Sequence, residues 1–461
     1  MRKFFLLISV SLLLQSCFVA KDYNRPTVEV RESYRTDQLP ADSLSMALVS
    51  WKELFQDPVL QAYIEEGLEN NIDIRVALQQ IKAAEAYVKQ GRAGYFPTFN
   101  LGAGVNHQIL SRNSQFGRLF DGSITQYEAT GNLSWEADIW GRIRSTDRAF
   151  QASYLQSVAA HQAVKTELIA AIASTYYQIL ALDEQIKITR ETVGNRENSL
   201  EITRALKEAG NVTEVGVKQT EAQLYTAQAV VVQLENQLRL LENTLSILLG
   251  DAPRSIERSN LDQQEINTPL HTGVPGELLG NRPDVIAAEY NLRNAFELTN
   301  VARSNFYPSL SLTAAGGFQS LDLAELFNVN SLFANLAASI AQPVFNRRQI
   351  RTEFEASQAR QEIALLEFQR SLLIASREVS DALYNFQAAT ETIEIKNNEF
   401  DAYDQAMSFS EELLNYGYAN YLEVLTAREN ALNSQLELVN ARFNRLNAVV
   451  ELYQALGGGW Q

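Results

Sequence analysis

The chain has 461 residues, a formal net charge of −16 and a single cysteine. That acidic balance speaks against nucleic acid as a partner, because phosphate is repelled, and one cysteine excludes an internal disulfide framework. Past residue 17 no stretch of about eighteen residues is apolar and uncharged, which excludes a helical membrane span in the mature chain. A lipid anchor or β-strands are left, and the strand signal is far weaker per segment.

Residues 1–16 read as a lipoprotein signal peptide. Arg2 and Lys3 precede the apolar run Phe4 to Leu14, and Cys17 follows Gln15-Ser16, a pattern too short for a membrane helix. Cys17 lies where a bacterial lipoprotein signal peptidase leaves an acylated first residue. Gln15 is an unusual neighbour for such a site, and the alternative is an ordinary signal with an incidental cysteine. Residues 17–57 follow as an extended, lipid-anchored N-terminal segment.

From about Pro58 to Gly94 the chain is helical in character, with few breakers and many Ala, Gln, Glu and Lys. Pro97 ends that pattern, since proline cannot lie inside the preceding helix. Phe99, Leu101, Ala103 and Val105 then alternate with Asn100, Gly102, Gly104 and Asn106, which predicts a strand over about 98–108. A polar loop from about Ser111 to Ser123 leads to a second strand, about 125–137, carrying Tyr127, Ala129, Leu133 and Trp135. The pair reads as a hairpin whose strands have about the ten residues a tilted membrane strand requires.

No proline occurs between Arg144 and Ala209, and Val164, Leu168, Ile172, Thr175, Ile179, Leu182 and Ile186 follow a four-and-three spacing. After Gly210-Asn211 the spacing resumes through Leu224, Ala227, Val231, Leu234, Leu238, Leu241, Leu245 and Leu248. Such heptads signal helices that pack side by side. A helix of about 65 residues is roughly 100 Å long, and two of about 35 placed end to end match it.

The whole pattern then repeats. Asp73 to Pro97 has the spacing of Asp284 to Pro308, Ser134 to Arg142 can be laid against Ser339 to Arg347, and Gly210 falls opposite Gly417. The chain is therefore read as two copies, 58–250 and 281–457, joined by an irregular connector, 251–280, and followed by a short tail, 458–461. The second copy carries strands at about 309–319 and 331–342. Pro97, Pro308 and Pro343 mark the junctions between helix and strand. Four strands cannot close a membrane barrel, which needs at least eight, and open edges are not tolerated in lipid. The narrow apolar seams cannot form a globular core either. Several chains must take part in closure, and three would supply twelve strands.

Trp51-Lys52-Glu53-Leu54-Phe55, Asp57-Pro58, Tyr95-Phe96-Pro97, Asn281-Arg282-Pro283-Asp284 and the ending Leu456-Gly457-Gly458-Gly459-Trp460 together resemble the TolC-type outer-membrane efflux family. The likeness is to its lipoprotein (NodT/OprM-like) branch, which serves resistance-nodulation-division (RND) pumps, and it covers essentially the whole chain. The resemblance implies an α-dominated membrane protein: a homotrimer with a twelve-stranded outer-membrane β-barrel continued by a periplasmic α-helical coiled-coil barrel. It also implies a periplasmic adaptor and an inner-membrane RND transporter as partners, outer-membrane lipid around the barrel, no cofactor and no catalysis. The helix turns Gly210, Asn211, Thr213 and Gly417, Tyr418, Asn420 match the tip where the adaptor docks. Glu423 matches an acidic constriction position, while Thr426 stands where some relatives have a second acid. Glu423 lines the lumen on one reading and merely complements a helix dipole on the other.

No catalytic or metal constellation stands out. His107, His161 and His271 lie apart without partners at ligand spacing, and Gly457-Gly458-Gly459 follows a helix rather than preceding one. Two alternatives stay open: an outer-membrane channel for type I polypeptide secretion, and a non-channel periplasmic scaffold lipoprotein.

Overall fold

Proline sets the first boundaries. Pro58 and Pro283 are the first residues of helices, where a missing amide costs nothing, and Pro97 and Pro308 stand between a helix end and a strand start. The computed structural model describes residues 19–27, 45–118, 123–264, 275–419 and 421–460; Cys17, Asn420 and His271 fall outside them.

In chain order the main elements are α1 (Trp51–Leu54), α2 (Pro58–Asn70), α3 (Ile72–Ala93), β1 (Thr98–Ile109), β2 (Ser123–Ala137), α4 (Arg142–Glu208) and α5 (Glu214–Leu248). The second copy follows as α6 (Leu278–Asn281), α7 (Pro283–Ser304), β3 (Ser309–Ser320), β4 (Leu332–Ala341), α8 (Gln349–Asn415) and α9 (Tyr421–Ala455). The duplication keeps its lengths in most of these elements, though β2 has 15 residues and β4 has 10. α3 and α7 have 22 residues, β1 and β3 have 12, α4 and α8 have 67, and α5 and α9 have 35.

Two details differ from the sequence reading. The helical stretch from Pro58 to Gly94 is broken at Asn71, whose Oδ1 accepts from the amides of Asp73 (2.8 Å) and Ile74 (3.2 Å) and whose Nδ2 donates to the Leu248 carbonyl (2.9 Å). A side chain that satisfies the free amides of a new helix makes the break stable. The alignment of Ser134 with Ser339 is also two residues out. Thr98 pairs with Ser134 and its counterpart Ser309 pairs with Ala341, so Ala341 is the spatial equivalent of Ser134. Backbone geometry agrees: Gly141 (φ 77°) and Arg348 (φ 68°) stand at matching places before α4 and α8.

The chain divides into two compact units. The first contains the sheet with residues 81–157 and 288–368 and the N-terminal strap up to Thr27. All four strands are antiparallel in the order β1-β2-β3-β4. The strap residues 19–27 lie on α7 and the start of α4. Asn300 clamps the Lys21 backbone from both sides (3.2 and 2.9 Å), Arg148 reaches Asp22 (3.0 Å), and Arg25 pairs with Glu289. Glu297 is buried beside them, 3.8 Å from Arg148. Burial pushes its carboxyl above the usual range, against the Asn300 hydrogen bond and the Arg148 charge.

The second unit is helical. Along α4, Leu168, Ile172, Ile179, Leu182 and Ile186 of the heptad series are all buried. Asp57 caps α2 through the Val59 amide (2.8 Å) and also accepts from Tyr176 (2.8 Å), Gln264 (2.9 Å) and Ser259. Burial alone would raise this carboxyl, but the hydrogen bonds from Ser259, Tyr176, Val59 and Gln264 outweigh it and hold it below the ordinary value. A depressed folded pKa gives stability that is present above the unfolded value, about 3.9, and is lost as pH falls through the folded one. Asp57→Ala is expected to cost about 2 kcal/mol, from the lost cap and the stranded donors. Thermal melts at pH 7 and at about pH 2.5, below the unfolded value, should show a larger gap between the two proteins at pH 7.

Candidate functional site

The sheet has two chemically distinct faces, and the ladder shows how the sequence makes them. Residues directly opposite in adjacent antiparallel strands project to the same side. One row across all four strands is Phe99-Leu133-Ala314-Leu336, and the next is Asn100-Asn132-Ala315-Asn335. Leu101, Val105, Leu310, Leu312, Phe318, Leu332 and Ile340 extend the apolar face. Asn106, Gln126, Glu128, Thr130, Thr313 and Ser339 extend the polar one, with Ile124 and Phe333 as exceptions. Ser311 and Ser339 share a hydrogen bond of 2.7 Å on that polar side.

Apolar residues on the outer strands are strongly exposed, Leu101 and Leu336 at 80% each. β1 and β4 are moreover the two edges of the sheet. An apolar face, a polar face and two long open edges make the arrangement expected of a segment of a membrane barrel wall. Among the described residues no helix is long and apolar enough to cross a membrane, and no group of His, Cys, Asp or Glu is placed to hold a metal. His107 instead pairs with Thr125 (2.7 Å), and His161 is isolated in α4.

At the base of the sheet the junctions are closed by aromatic residues. Trp135 Nε1 donates to the Tyr95 carbonyl (2.9 Å), and Trp140 stacks on Tyr307 (4.9 Å between centroids) while donating to the Pro308 carbonyl (2.8 Å). Pro97 and Pro308 immediately precede β1 and β3, and Pro343 lies in the linker after β4.

The turns at the far ends of the long helices are built alike. Gly210 (φ 82°) donates to the Lys207 carbonyl and Asn211 to that of Leu206, while Gly417 (φ 76°) donates to Leu414 and Tyr418 to Leu413. Each is a Schellman ending, which needs a left-handed residue that glycine supplies without strain. Thr213 caps α5 through the Gly216 amide. Glu423 and Thr426 are exposed on one side of the first turns of α9, whereas Val424, Leu425 and Ala427 are buried. The Thr426 hydroxyl donates to the Leu422 carbonyl (3.0 Å).

Further along the same helices lie two arginines that the sequence reading did not single out. Arg196, with its side chain only 5% exposed, donates to the Gln223 carbonyl (2.5 Å) and pairs with Glu429 (2.7 Å), joining α4 to both α5 and α9. Arg428 pairs with Glu411 (2.7 Å) and donates to Ser199. The available signal was position: Arg196 interrupts the apolar seam between Val193 and Leu200, which pack together with Val217 and Leu224.

The short motifs also acquire physical roles. Arg282 is buried and bidentate to Asp284 (2.9 and 2.6 Å), with further bonds to Glu378 (2.6 Å) and the Ala455 carbonyl (3.0 Å). Trp460 Nε1 donates to the Asn281 carbonyl (3.0 Å), and a Cβ on Gly457 would come within 2.4 Å of that same oxygen. Phe55 sits edge-on to both Tyr177 and Tyr453. These tags are packing locks of the helical unit.

The family model described as outer membrane efflux protein matches residues 63–251 and 274–458, one copy each. The toluene efflux pump outer membrane protein TtgF of Pseudomonas putida is 30% identical over 471 residues, covering 100% of this chain and 98% of that protein. The cation efflux system protein CusC of Escherichia coli is 28% identical, covering 98% of each. The solved structure of the outer-membrane channel OprN superposes with a TM-score of 0.88 at 25% identity, covering 96% of this chain and 99% of that one. Matched by that family model in both copies and by these relatives over nearly its whole length, this chain belongs to the outer membrane efflux protein family.

Proposed function

We propose that this protein is the passive exit channel of a tripartite efflux pump. Three copies close a twelve-stranded barrel in the outer membrane, and their helices continue it as a tunnel through the periplasm. Small molecules arrive from an inner-membrane RND transporter by way of a periplasmic adaptor. The channel supplies no chemistry; its wall excludes lipid and admits water and cargo. One observation carries the reading: a four-stranded sheet, apolar on one face and polar on the other, with both edges open.

Cargo choice belongs to the pump rather than to this wall. TtgF is named for toluene and CusC for cations, and this chain resembles both over nearly its full length. Cys17 is proposed as the acylated anchor, two residues ahead of the docked strap. The turns at Gly210, Asn211, Thr213 and at Gly417, Tyr418, Asn420 are proposed as adaptor contacts.

Glu423 and Thr426 are proposed to line the constriction near the second turn. Three copies of Glu423 then form a ring of like charge that favours cations. Single-channel recording in planar bilayers tests both levels. Trimer-sized conductances are expected, with a cation preference that falls severalfold in Glu423→Ala. Unchanged selectivity removes Glu423 from the constriction, and failure of a folded oligomer to insert overturns the channel.

A further inference from the structure

The duplication carries an inference about how neighbouring copies meet, and it rests on the trimeric reading above. Within one chain, β2 leaves the sheet at the same end at which β3 begins, and the two strands are paired. That junction is sealed by Trp140, from the linker after β2, stacked on Tyr307 just before β3. In a closed ring β4 of one copy must pair with β1 of the next, because these are the two open edges. The linker after β4 then lies beside the residues that precede β1 in the neighbour.

Those residues have the right chemistry and, within one chain, are uncovered. Phe96 stands one residue before Pro97, as Tyr307 stands before Pro308, and it is 72% exposed. The linker after β4 spans 342–348, against 138–141 after β2. Phe345 is its one aromatic residue and is 89% exposed, with Val344 beside it at 99%. Arg347 (φ 54°) and Arg348 (φ 68°) hold the end of this linker in the left-handed region, which residues with a side chain seldom adopt.

We infer that Phe345 of each copy packs on Phe96 of the next, with Val344 covering its edge; Phe345 stands two residues before the register counterpart of Trp140, so this seal is of the same kind as the one Trp140 and Tyr307 make within a chain but not its copy. Closing the barrel thus produces six aromatic seals at its base, three within chains and three between them. The three between chains hold the copies together where sheet gives way to helix.

The test uses the full-length, membrane-extracted protein. Phe345→Ala is expected to raise the rate of trimer dissociation in warm detergent by about tenfold, since three aromatic pairs are lost at once. Phe96→Ala should do the same, the double variant should add little to either, and Phe345→Trp, which keeps a large aromatic ring, should retain wild-type behaviour. A Phe345→Cys/Phe96→Cys variant treated with a short bis-maleimide should give covalent dimers and trimers on denaturing gels. A trimer by light scattering that yields no inter-chain product and is indifferent to Phe345→Ala overturns the contact while leaving the channel intact. A protein that is monomeric by light scattering under conditions that preserve its helices overturns the assembly itself, and the contact with it.

Discussion

Ala314→Arg and Ala315→Arg should have opposite outcomes, although the two residues are identical and adjacent. Ala314 lies in the row Phe99-Leu133-Ala314-Leu336, on the apolar face, and Ala315 in the row Asn100-Asn132-Ala315-Asn335, on the polar one. A guanidinium facing lipid at mid-depth costs about 2–4 kcal/mol, whereas one facing the lumen stays hydrated. In the proposed three-copy barrel the lipid-side cost is roughly tripled, enough to prevent assembly against stabilities of about 5–15 kcal/mol. Ala314→Arg is therefore expected to remove heat-resistant oligomer from the outer-membrane fraction. Ala315→Arg should insert normally and shift ion selectivity toward anions. Equal tolerance of both substitutions would mean that the sheet does not face lipid on that side.

Arg282→Ala is the second large effect, and its site lies in the helical unit. The guanidinium joins the start of α7 to Glu378 on α8 and to the Ala455 carbonyl at the end of α9. Removing it strands that carbonyl and separates two carboxylates from their counter-charge. The carboxylates are partly exposed, 45% for Asp284 and 38% for Glu378, so water relieves part of the loss. About 2–3 kcal/mol is expected, seen as a fall of roughly 5 °C in the midpoint of heat-induced loss of helical circular dichroism. Arg282→Lys keeps the charge but not the two-pronged geometry and should recover less than half of it. A melt indistinguishable from wild type would show that the Asn-Arg-Pro-Asp motif is not a structural lock.

Much of this architecture is legible in the sequence because its signals are local and periodic. Alternation at Phe99, Leu101, Ala103 and Val105 fixes a strand and its apolar face, and the four-and-three spacing of Leu168, Ile172, Ile179 and Leu182 fixes the buried side of a long helix. Glycine and proline punctuate both. What escaped was long-range. Nothing local distinguishes Asn71 from other polar residues of a helical stretch until the Leu248 carbonyl is placed against it. Arg196 and Arg282 look like surface charges until their partners, far away in sequence, are seen to bury them. The two-residue error in aligning Ser134 has the same origin. Sequence similarity matched residue types, whereas hydrogen-bond register, which those types do not encode, decides which strand positions are equivalent.

The equality of the two copies also has a consequence for how such a chain can change length. α4 and α8 each have 67 residues, and α5 and α9 each have 35. One residue added to α8 alone would turn everything beyond it by about 100° and advance it by about 1.5 Å. Its packed stripe would then face away from its neighbours, while α4 stayed as it was. Each copy therefore acts as a gauge for the other. Lengthening or shortening the tube is open only to changes made in both halves of the chain, in steps of about seven residues that return the stripe to its place. A single-residue insertion is silent only outside the gauge, in the loops at the outer rim. There the first hairpin already exceeds the second by four residues: Thr98 is 36 positions from its partner Ser134, and Ser309 is 32 from Ala341.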